Sequence, residues 1–119
     1  MRRALISIVL LVAAVQAFGT ASLNIEAGPY AFILAIGGAN GNEISTITIG
    51  SESDGKQWSI NASDCVKVKY DQQQKHILIR YKPIKGQDSP PAFFLRIKGY
   101  QGSLKVRGTR FDATSDWEM

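Results

Sequence analysis

Three consecutive stretches decide the fold. Cys65-Val66-Lys67-Val68-Lys69-Tyr70 leads into the polar run Asp71-Gln72-Gln73-Gln74-Lys75, and then into His76-Ile77-Leu78-Ile79-Arg80-Tyr81-Lys82. Both flanking arms repeat their apolar residues at every second position, which is the period of a strand and not of a helix. Val66, Val68 and Tyr70 share one face with Ile77, Ile79 and Tyr81. The opposite face carries Lys67, Lys69, Arg80 and Lys82, with Leu78 among them. A β-hairpin with a polar tip is the direct reading.

The same alternation recurs on both sides of this hairpin. It predicts strands near 23–27, 30–36, 44–49, 57–61, 93–98 and 103–108. The breaks carry turn chemistry: Gly37-Gly38-Ala39-Asn40-Gly41-Asn42, Ser53-Asp54-Gly55, and Gly99-Tyr100-Gln101-Gly102. Gly86-Gln87-Asp88-Ser89-Pro90-Pro91 is the longest break, because paired prolines do not sit inside a central strand. No convincing 3.6-residue stripe appears beyond residue 22. The expected fold is all-β: an antiparallel β-sandwich, Ig-like or similar, of seven or eight short strands over 22–111. Residues 112–119, acidic and without evident period, read as a flexible tail.

The N-terminus has a different character. Arg2 and Arg3 precede an apolar run from Ala4 to Val15, the layout of a cleavable signal peptide covering 1–21. The run falls short of the roughly 20 residues of a membrane span. Gly19-x-Ala21 and Val15-x-Ala17 are the two candidate cleavage signals, and the first is favoured. A lipoprotein needs a cysteine directly after the cut, whereas the only cysteine is Cys65. The expected location is therefore secreted or periplasmic.

The 119 residues hold 14 Lys+Arg against 10 Asp+Glu, a formal net charge of +4. The charge is unevenly spread. Residues 22–64 set Lys56 against five acids, whereas residues 65–111 set eleven basic residues against Asp71 and Asp88. Eight of those cations come in pairs two residues apart: Lys67 and Lys69, Arg80 and Lys82, Arg96 and Lys98, Lys105 and Arg107. Side chains two apart on a strand share a face. If the four strands share a sheet, the cations crowd its outer side, with Leu78 and Phe94 as apolar contacts beside them. A plain solvated face, protected by charge against edge-to-edge aggregation, explains the pattern without a ligand. The functional reading is an anion-binding platform. For an exported protein its partners are an acidic glycan, an envelope polymer or a lipid headgroup at a membrane surface. Nucleic acid is less favoured there. A secreted protein–protein interaction module (inhibitor, adhesin subunit or assembly accessory), acting by sheet-edge pairing, is the alternative.

Catalytic chemistry has little to build on. Cys65 and His76 are the lone cysteine and histidine, and the hairpin register sets them roughly 13–20 Å apart at about 3.3 Å per residue. That separation excludes a thiol–imidazole dyad. Cys65 shares the parity of Lys67 and Lys69, which predicts an outward thiol in a cationic setting and, after export, an intermolecular disulfide. One histidine, one cysteine and scattered carboxylates show no metal-ligand spacing, and no cofactor motif occurs. Asn61-Ala62-Ser63 is a glycosylation sequon. Trp58 alternates as a core residue. Trp117 is expected on a sheet edge or on a partner.

Overall fold

The computed structural model describes residues 21–37, 43–83, 85–86 and 88–117. Residues 1–20, where all but the last position of the expected signal peptide falls, most of the glycine-rich hairpin loop (38–42) and the last two residues lie outside that range. The strands are β1 (Ala21–Ala27), β2 (Tyr30–Gly37), β3 (Glu43–Ser51), β4 (Lys56–Asn61), β5 (Lys67–Asp71), β6 (His76–Tyr81), β7 (Phe93–Lys98), β8 (Gln101–Val106) and β9 (Thr109–Asp116). The eight strands read from sequence all occur, each with its ends within two residues of the expected ones.

All nine strands belong to one sheet, ordered β4-β3-β2-β1-β9-β8-β7-β6-β5. Every pairing in it is antiparallel. Each strand pairs with its neighbour in sequence, except β4 with β5, and β1 pairs with β9. The chain is thus a meander that joins its two ends in mid-sheet and stays open between β4 and β5. The sheet curls into a half-barrel. Here the expected sandwich is corrected. Alternation marks one buried face on most strands, and β2 is buried on both, but a curled sheet buries its inner face against itself as well as two sheets bury theirs against each other.

The inner face holds the core. Leu23, Ile25, Leu34, Ile47, Ile79, Leu95 and Leu104 are fully buried, and Phe32, Ile77, Tyr81, Phe93, Ile97 and Val106 are nearly so. Phe93 sits edge-on to Phe32 at 5.3 Å between ring centroids and stacks on Tyr81 at 5.5 Å. Off-centre and edge-on rings of this kind add modestly to the burial of their area. Trp58 packs against this core, as its parity predicts, and donates its indole N–H to Asp88 at 3.5 Å.

The C-terminal segment is the second correction. Residues 109–116 form β9, paired with β1 on one side and β8 on the other, so the tail expected from 112 is a central strand as far as Asp116. Phe111, Ala113 and Ser115 are its inward positions. Ala113 is buried opposite Gly102 and Ala27. Small residues blunt the hydrophobic period that would have marked the strand. Trp117 then packs within its own chain: its ring stacks on Tyr70 of β5 at 6.0 Å, and its indole N–H donates to the Gly99 carbonyl.

Candidate anion-binding face

The hydrogen-bond register sets the outward side chains of β5 to β9 in rows across the sheet. The first row runs Lys67, Arg80, Phe94, Lys105, Arg110. The second runs Lys69, Leu78, Arg96, Ser103, Asp112, and the third Asp71, His76, Lys98, Gln101, Thr114. Neighbouring strands lie about 4.8 Å apart, so directly opposed side chains are in reach of one another. The residues between the rows, such as Ile77, Ile79, Leu95 and Ile97, are buried in the core. Burial of one parity forces the other parity outward, and that is what gathers the cations.

Six of the eight expected cations stand on this face: Lys67, Lys69, Arg80, Arg96, Lys98 and Lys105, all exposed. Leu78 and Phe94 are among them and half-buried. Arg96 lies over the Phe94 ring, its guanidinium carbon 5.9 Å from the centroid. That contact is at the outer limit of a cation–π interaction. Lys82 and Arg107 are corrected. Lys82 follows the end of β6, and Arg107 occupies the β8–β9 hairpin turn with φ 51°, next to Gly108 at φ 79°. Two successive positive φ values define the tight turn that matches the twist of flanking strands. Both cations remain exposed at the rim.

Arg110 is a further cation on the face, opposite Lys105 on β9. The last strand expected from sequence ends at 108, so Arg110 falls outside the expected strands, whereas it lies within β9. Its two-residue spacing from Asp112, with Phe111 between, was the available signal.

Two acids interrupt the cations, Asp71 at the β5 end of the third row and Asp112 at the β9 end of the second. In water a neighbouring pair of like charges repels by about 1 kcal/mol or less, and salt weakens this further. The crowding is therefore compatible with a stable sheet. Between the second and third rows lies an open depression of about 350 Å³. Its walls are Lys69, Asp71, Arg96 and Lys98 on β5 and β7. Leu78 and His76 on the central strand β6 form its middle. Leu78 is shorter than Lys69 and Arg96 on either side of it, which accounts for the dip.

Cys65 departs from its expected setting. The turn Ala62–Asp64 is a short 3-10 helix, and Cys65 caps it, its N–H donating to the Ala62 carbonyl at 3.1 Å. The thiol is half-buried against the core and points its Sγ toward the Asn61 carbonyl at 3.9 Å. Val66 takes the outward place instead, 58% exposed, so the strand parity starts only at Lys67. Burial, and then the Asp64 carboxylate, push the Cys65 pKa from 9.0 up to about 11. This is the reverse of a cation-activated thiolate, and it slows attack by Cys65 on another cysteine.

Unfolding restores the lower pKa, so the unfolded chain loses its proton first and stability falls as pH rises from about 9 to about 11. At pH 8 the thiolate fraction is about a hundredfold lower in the native state, while the higher pKa makes each thiolate about tenfold more nucleophilic. Iodoacetamide is therefore expected to alkylate native Cys65 about tenfold more slowly than the urea-unfolded chain. Asp64→Asn is expected to raise the native rate. Equal rates in native and unfolded protein would contradict this account.

His76 pairs with Asp71, while Arg80, beside the Cys65 end of the strand, pairs with Lys67. Four residues of β6 separate these ends, roughly 13 Å at about 3.3 Å per residue. The thiol and imidazole are not brought together. Among the described residues no three His, Cys, Asp or Glu side chains converge on a metal-sized site. Asn61 is exposed at the end of β4. No protein-family profile, no curated protein and no solved structure matches this chain.

Proposed function

We propose that this protein is an exported, non-catalytic binding module that holds an anionic polymer on the outer face of β5 to β9. The observation that carries the reading is the register itself. It stacks Lys67, Arg80, Lys105 and Arg110 in one row, with Lys69 and Arg96 in the next. Several cations at strand spacing raise local anion concentration, and arginine grips carboxylate or sulfate in two-point fashion. The leader-like stretch at 1–21 supports export, which favours acidic glycan, envelope polymer or lipid headgroup as the polyanion.

Retention of the full chain on heparin should fall steeply with salt, since binding releases condensed counterions. Changing Arg80→Gln, Arg96→Gln and Lys105→Gln together is expected to lower the slope of log K against log salt by about two to three. Unchanged retention of the triple variant would overturn the reading.

The protein–protein alternative rests on the open edges of β4 and β5, where the sheet ends. Strand addition relies on backbone pairing, so that binding would persist at moderate salt.

A further inference from the structure

We infer that the depression on β5 to β7 takes a single uronic acid residue of a glycan chain; this rests on the anion-binding reading of the face. A site evolved only for bare charge would have cations throughout. This one sets Leu78 between Lys69 and Arg96, and Asp71 across His76 from Lys98. Three chemistries therefore meet in about 350 Å³, at the small end of ligand sites of about 300–1,000 Å³. Half-buried Leu78 offers an apolar platform, which suits the C–H face of a sugar ring. Arg96 and Lys98 supply the grip for a carboxylate. Asp71 accepts hydrogen bonds, and a sugar has hydroxyl donors to give.

Asp71 decides between anion classes. Its Oδ1 accepts the Gln74 backbone N–H at 3.1 Å, which orients the carboxylate. A carboxylate has about four acceptor sites, so that one bond leaves room for hydroxyl donors. Phosphodiesters and polyphosphates present no such donors at their charged groups and are repelled by it. A hydroxylated acid gains from the same residue that a bare phosphate suffers from.

The test uses opposite signs. Titrate the full chain with tetragalacturonate and, separately, with inorganic tripolyphosphate at low salt. Asp71→Asn keeps a side-chain oxygen for the Gln74 N–H, so the turn is preserved. It is expected to weaken tetragalacturonate about tenfold by removing a charged acceptor, and to leave tripolyphosphate unchanged or bound more tightly. Leu78→Gln, an outward substitution, is expected to weaken tetragalacturonate alone. If Asp71→Asn tightens both ligands, the depression is a general charge sink and the uronate assignment is wrong, while the anion-binding face stands. If the unsubstituted protein binds neither, the reading of the face itself fails.

Discussion

Gly102→Ala is expected to destabilise the protein by about 3 kcal/mol or more. Gly102 lies on β8 opposite Ile97, with its missing side chain on the inward parity of Leu104 and Val106. A Cβ there would collide with the carbonyl oxygen of Arg96 and crowd the Cα of Ile97. The obstacle is backbone, so no rotamer change relieves it. The β7–β8 hairpin would have to open, straining the ladder between Gly102 and Ile97. Glycine inside a strand commonly marks such an approach. Urea unfolding followed by circular dichroism gives the number. A loss below about 0.5 kcal/mol, the size of an ordinary surface change, would show that the hairpin gives way freely. The substitution should also weaken polyanion binding, because β7 carries Arg96 and Lys98.

Leu95→Ala is expected to cost about 2–5 kcal/mol. Leu95 is fully buried, and its cross-strand neighbours Ile79 and Leu104 are fully buried too. Neighbours on hydrogen-bonded strands are poorly placed to collapse into the space, so the cavity persists. Part of the cost is the lost transfer free energy and part is the unfilled volume. The outward row is untouched, so at temperatures where the variant is folded its heparin retention should match the unsubstituted protein. Denaturant titration supplies the stability and salt elution the binding. A stability loss under 1 kcal/mol would mean that this layer repacks.

Local pattern carried much of this molecule. Val68, Tyr70, Ile77, Ile79 and Tyr81 declared their strands and faces through a two-residue period, because a pleated chain has no other way to segregate side chains. The grouping of Lys69, Arg80, Arg96 and Lys98 followed from the same parity. The failures fall where parity lapses or size misleads. Ala113 and Ser115 are too small to signal a buried strand, though they lie at the middle of the sheet. The 3-10 turn before Cys65 breaks the alternation, turning the thiol inward and Val66 outward. Arg107 reads as a strand residue but sits at a positive φ in a tight turn, which its neighbour Gly108 makes possible.

What the residue order determined by itself was local: eight of the nine strands, the sidedness of those that alternate, and the charge of the second half. Those depend on neighbours a few positions apart, which any reader of the chain can see. Tertiary structure alone decided that the strands form one curled sheet instead of two layers, that β1 and β9 meet in its middle, and that Asp71 and Leu78 share a depression with Arg96. Each of these depends on which strand lies beside which. That is chosen by packing of the whole inner face, a sum over distant pairs that no short stretch of sequence contains.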